Sequence, residues 1–195
     1  MAWRTLGLAM MAACVAGAAA AQRGPPDPAP LIAAQQAAMK PLAWMVGRWE
    51  GPAWVSTPSG RQDVIQTERI GPMLDGAVLL VEGKAFTPDG KPAGFNAVGV
   101  ISYDAITKAY VFQSWSQGRQ GTFPLTVAAD GGWSWSVPAG PVTMRYTTTR
   151  EGGGWRETGE MVRPDGTATR IFEMTLKRVG DTDWPLAGQA TAPGR

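Results

Sequence analysis

Leu42-Ala43-Trp44-Met45-Val46-Gly47-Arg48-Trp49-Glu50-Gly51 is the stretch whose reading decides the fold. Before it lies a short, apolar, helix-like lead-in. After it the texture becomes a long series of strands. Gly47 allows the backbone a sharp turn at the join, and Trp49, two residues on, can plug an apolar interior.

Downstream of Gly47, turn signals recur about every ten to fifteen residues, as in all-β folds. They are Pro58-Ser59-Gly60, Asp75-Gly76, Pro88-Asp89-Gly90, Asp104 to Lys108, Gly118 to Gly121, Asp130-Gly131-Gly132, Pro138 to Pro141, Glu151 to Gly154 and Pro164-Asp165-Gly166. Each supplies the Gly, Asp or Pro that a hairpin needs. These nine turns predict ten strands. Ala77 to Val81 is an apolar run, and Val98 to Tyr103, Tyr110 to Trp115 and Thr143 to Thr149 are rich in β-branched and aromatic residues. Trp133-Ser134-Trp135-Ser136-Val137 alternates strictly, so both tryptophans share a face. In the last strand, Thr167 to Val179, Phe172, Met174 and Leu176 share a face, with Arg170 and Arg178 at its ends.

Hairpins in succession with no helical crossover make an up-and-down antiparallel sheet. Left open, ten such strands would present two long unpaired edges; closure removes them. The expected fold is therefore all-β: a closed antiparallel barrel of about ten strands over residues 42–180, able to hold one small ligand. A β-sandwich is the competing architecture.

Upstream, Leu31 to Met39 is Ala- and Gln-rich and reads as a short helix, ended by Pro41. Residues 22–41 are then a Pro-rich linker and that helix. Residues 1–21 carry one base, Arg4, an apolar run and Ala19-Ala20-Ala21, the pattern of a secretory signal peptide cleaved near Ala21. That run is too short and Ala-rich to favour a membrane span. Export to the periplasm or beyond is the expected localisation. The sole cysteine, Cys14, lies in this leader, where lipidation is the minor alternative. Residues 181–195 are Pro/Gly/Ala-rich apart from Trp184 and read as a tail.

The chain has no histidine. That excludes Ser-His-Asp triads, His-ligated haem and His-based zinc sites. Without Cys14 the mature chain has no thiolate chemistry and no disulfide. No metal site, resident cofactor or catalytic residue is expected. The net charge is +2, with 18 basic and 16 acidic residues and no basic run, which gives no electrostatic case for nucleic acid.

Gly47-Arg48-Trp49 resembles the opening of the calycin superfamily, which includes lipocalins, fatty-acid-binding proteins and nitrobindins. Gly47-x-Trp49-x-Gly51 is similar to nitrobindin. Together with Gly99-Val100-Ile101-Ser102-Tyr103-Asp104 and Tyr110-Val111, it looks closer still to an uncharacterised bacterial family of calycin-like barrels. The resemblance spans Leu42 to Val179. It implies a structural barrel floor of Gly47, Trp49 and Arg178, with the Arg178 guanidinium stacked on the indole. The haem-ligating histidine of nitrobindin has no counterpart here.

The candidate ligand contacts are Gln66, Glu68, Tyr103, Gln113, Trp115 and Arg145. Gln66 and Glu68 share a face of strand two with Val64 and Ile70. If that face is inward, an amide and a carboxylate enter an apolar cavity, and Arg145 is the expected partner. If Ile65 faces inward instead, both are solvated. Tyr103, Gln113 and Trp115, on adjacent strands, could line a pocket with polar handles, or simply pack. Trp133 and Trp135 could stack a ligand or cover one barrel end. The expected function is binding of a small apolar or amphipathic molecule by a monomer or weak homodimer. A barrel filled by its own side chains, or an acid–base enzyme without His or Cys, are the alternatives.

Overall fold

Ten antiparallel strands follow one another through tight turns, and the first pairs with the last to close a barrel. A computed structural model describes residues 27–184. The expected leader, the first part of the linker and most of the tail lie outside that range. The strands are β1 (Gly47–Thr57), β2 (Gly60–Met73), β3 (Val78–Phe86), β4 (Pro92–Asp104), β5 (Ala109–Ser116), β6 (Arg119–Val127), β7 (Trp133–Ala139), β8 (Val142–Glu151), β9 (Gly154–Val162) and β10 (Ala168–Gly180). Every pairing is between sequence neighbours except the closing pair, β1 with β10. Trp49 stands opposite Arg178 on one side and Glu68 on the other, and Ala53 stands opposite Met174. The sandwich alternative is thereby excluded.

Two glycines make the closure possible. Gly47 has φ +141°, and a Cβ there would stand 2.8 Å from Arg178 Nε. At Gly51 a Cβ would run into the Thr175 carbonyl of β10. The β1–β10 seam thus needs the Gly47-x-Trp49-x-Gly51 spacing for contact reasons, with Trp49 between the glycines turned inward and 3% exposed.

One end of the barrel is plugged. Helix α1 (Ala29–Met39) runs into a 3₁₀ segment (Lys40–Met45) that crosses this end. The α-helix does end before Pro41, but the chain continues helically through it. Pro41 sits in the first turn of the 3₁₀ segment, where no N–H is required. Three bonds hold the plug: Tyr110 Oη donates to Ala38 O (2.6 Å), Trp44 Nε1 to Gly131 O (3.1 Å) and Gln36 Nε2 to Asp75 O (3.2 Å). Beneath it Leu42, Met45, Ile70, Ile101 and Leu176 form a solid layer, each 0% exposed. The opposite end is the mouth, ringed by the hairpins that join β1–β2, β3–β4, β5–β6, β7–β8 and β9–β10.

The last strand departs from simple alternation. Ile171 is an extra residue where β10 pairs with β9, so Arg170 stands opposite Glu160 while Phe172 stands opposite Gly159. Phe172, Met174 and Leu176 share the inner face as expected. The bulge turns Arg170 to the outer face, where it pairs with Glu160 and Glu173.

Candidate functional site

The inner wall is apolar by alternation, and four polar side chains interrupt it. Gln66 and Glu68 come from β2, Thr148 from β8 and Glu157 from β9; they are 3%, 9%, 2% and 9% exposed. The inward register of β2 is therefore the polar one, and Ile65 lies on the outer face. Gln66 Nε2 donates to Glu68 Oε1 at 2.7 Å, and Thr148 Oγ1 donates to Glu157 Oε2 at 2.9 Å. The Glu68 carboxylate lies over Gly83 of β3, where a Cβ would stand 2.6 Å from Oε1. Glycine at that place is what lets a carboxylate lie flat against the wall.

Burial dominates the electrostatics of both acids. It pushes the Glu157 carboxyl up to about 7, against smaller downward pulls from the Thr148 hydroxyl and the Trp155 indole. Glu68 is driven well above the ordinary carboxylate range, first by burial and further by the charge of Glu157, with the Gln66 amide opposing. Glu68 therefore senses the charge of Glu157. Tyr146 senses Glu157 too; its phenol is raised by burial and by that charge.

Below the acids is a knot of three tryptophans. Trp44, Trp49 and Trp155 meet edge to face in all three pairings, at 5.7, 5.8 and 6.0 Å between ring centroids. Trp49 Nε1 donates to Met45 O at 2.7 Å. Trp155 Nε1 is buried beside Glu157 without completing a hydrogen bond. Towards the mouth lies a band of partly exposed rings. Trp135 stacks on Tyr146 (4.6 Å, 18° between planes) and meets Phe112 at 4.8 Å and Phe123 at 5.1 Å; Tyr146 meets Phe172 at 6.4 Å. The indole N–H groups of Trp133 and Trp135 are also buried and unpartnered.

Of the expected contacts, Gln66 and Glu68 fall inside the barrel. The others do not join them. Arg145 points outward, because Tyr146 and Thr148 take the inner face of β8; its guanidinium bonds Glu160 Oε2 at 2.7 Å on the outer wall. Gln113 is exposed and Trp115 is 42% exposed, since Phe112 holds the inner face of β5. Trp115 donates to Gln120 Oε1 at 2.9 Å and lines an outer groove of about 370 Å³ with Asn96 and Val98. Tyr103 lies at the plugged end, edge-on to Tyr110 at 4.9 Å, beside a second groove of about 370 Å³ under α1. Trp133 and Trp135 are both inward, packed against Phe112.

In the floor, Gly47 and Trp49 stand as expected and Arg178 follows the inward alternation, but its guanidinium does not stack on Trp49. Trp44 and Trp155 pack edge to face with that indole. Arg178 instead passes over Gly47 and bonds Asp181 at 2.6 Å, with Val46 O at 3.5 Å. Arg150 stands 5.9 Å from the Trp44 ring centroid. Sequence reasoning missed Glu157, Thr148 and Trp155. The signal was the alternation Trp155-x-Glu157-x-Gly159, which puts one acid on the face of a buried indole.

No family model and no curated protein matches the chain. Seventeen chains of solved structures do. One is the crystal structure of Rv2717c from M. tuberculosis, with 13% identity and TM-score 0.52, covering 74% of this chain and 96% of that one. At that identity the likeness shows the fold alone. No helix among the described residues is long and apolar enough to cross a membrane.

Proposed function

We propose that this calycin-like barrel is exported, loses its leader near Ala21, and binds a small, largely apolar molecule through its mouth. The carrying observation is the layered lumen: a ring of partly exposed aromatics over four buried polar side chains, over a solid floor. A barrel that only had to fill itself would gain from apolar residues at Glu68 and Glu157, since isolated buried carboxylates are costly. Inward glycines support the filled-barrel alternative, because Phe112 lies over Gly99 and Phe123 over Gly121. That alternative leaves the two acids without a role.

Native mass spectrometry of protein purified from its own host tests the reading. Expected is a mass starting near residue 22 plus a molecule that is lost on denaturation. A bare polypeptide mass, with no uptake from a panel of apolar compounds, would overturn it. A second reading, acid–base catalysis, draws on Glu157, whose pKa of about 7 suits proton transfer, standing near the Tyr146 phenol. It predicts that the retained molecule is chemically changed on incubation, where a carrier returns it unaltered.

A further inference from the structure

Glu68 and Glu157 each receive one neutral donor, from Gln66 and Thr148, and no cation among the described residues reaches them. On and beside these strands Arg69 pairs with Glu82, Arg145 with Glu160, Arg156 with Glu173 and Arg170 with both Glu160 and Glu173 on the outer wall, while Arg150, opposite Trp155 on β8, lies 5.9 Å from the Trp44 ring centroid and pairs with neither buried acid. A buried carboxylate needs a cation or donors, and a pair of them needs it more. A second observation points the same way. Trp155 Nε1, on a residue 2% exposed, faces the Glu157 carboxylate and completes no hydrogen bond. A donor held beside an acid that already accepts from Thr148 marks a place prepared for negative charge.

On that basis we infer that the acids recognise the protonated nitrogen of an organic amine whose apolar body lies among the mouth aromatics. The inference rests on the binding function proposed above and names the ligand class. An ammonium has three N–H donors and supplies the charge and the hydrogen bonds that a buried carboxylate lacks. The faces of Trp135, Tyr146 and Phe112 supply quadrupoles that attract the same charge. A bare metal ion fits less well. No group of three or more His, Cys, Asp or Glu suited to a metal occurs among the described residues, and the aromatic wall offers it no ligands.

The test compares ligands that share one apolar body: 2-phenylethylamine, 2-phenylethanol and 3-phenylpropanoate, titrated calorimetrically into the intact mature protein at pH 8. The amine is expected to bind about tenfold or more tightly than the alcohol, and the acid most weakly. In the Glu68→Gln/Glu157→Gln variant the amine's advantage should fall to about twofold or less while the alcohol's affinity holds. The wild-type comparison stands even if the variant fails to fold. Equal binding of amine and alcohol would overturn the inference and leave the binding function intact. Binding of calcium or zinc alone in place of the amine would also overturn it. No binding of any of the three, with a bare native mass, would remove both.

Discussion

Replacing Trp155 with alanine is expected to destabilise the barrel by about 3–5 kcal/mol, the largest effect of any single substitution in the lumen. Trp155 is 2% exposed and belongs to two of the three edge-to-face pairs of the floor. Removing the ring leaves a cavity between the plug and the acids, and neither Trp44 nor Trp49 can move into it. Trp44 is tied to Gly131 O and Trp49 to Met45 O. The same change lets water reach Glu157, so its carboxyl should return towards the ordinary range. Urea unfolding followed by tryptophan fluorescence checks the first outcome. A loss under about 1 kcal/mol would mean that the floor repacks freely and is no rigid base for a site.

The second large effect is a stability that falls as pH rises. Between the ordinary carboxylate pKa and about 7, the unfolded chain has given up the Glu157 proton and the folded chain still holds it. Below that window both states are protonated; above it both are ionised and the penalty is constant. Raising pH from 5 to 8 should therefore remove roughly 3 kcal/mol, taking about 1.4 kcal/mol per unit of pKa difference. The corresponding drop in melting temperature is about 5–10 °C for a chain of this size. Glu68, raised in the same direction, adds to the decline with the same sign.

Carboxylates held below their ordinary range have the opposite sign: Asp89, Asp104, Glu160, Asp165 and Asp181 stabilise above their unfolded pKa and lose that on acidification. They all lie on the outside, and their contribution is complete by about pH 5, so it does not mask the decline. Glu157→Gln keeps the shape and removes the charge. Its profile should be flatter, and it should be more stable than the parent at pH 8. A parent profile flat from pH 5 to 8 would contradict the burial of these acids.

Closure was legible in the sequence because it depends on local signals. Each hairpin announces itself with Gly, Asp or Pro, and Gly47-x-Trp49-x-Gly51 marks the seam where β10 must approach β1. The site was only half legible. On β2, one face carries Val64, Gln66, Glu68 and Ile70, and the other Ile65, Thr67 and Arg69. Both mix apolar and polar residues, so alternation cannot choose between them. The choice is made by Trp49 and Gly83, which flank Glu68 on neighbouring strands. On β5, Phe112 and Trp115 are both large aromatics on opposite faces, and the sequence offers no reason to prefer Phe112 inside. The inward place was settled by Gly99 across the ladder, which makes room for the Phe112 ring. Arg145 followed from the need of Glu68 for a cation, a sound demand that the fold meets with no side chain of its own.

Two acids buried inside the lumen are the basis of the proposed binding, of the amine selectivity and of the pH profile. Carbon-13 NMR titration of the glutamate side-chain carboxyls reads them directly, with Glu68→Gln and Glu157→Gln assigning the signals. One glutamate should titrate near pH 7 and a second well above the ordinary carboxylate range, the second moving down when Glu157 is neutralised. If every glutamate instead titrates between about 3.5 and 5, the acids are solvated and the lumen holds no such site.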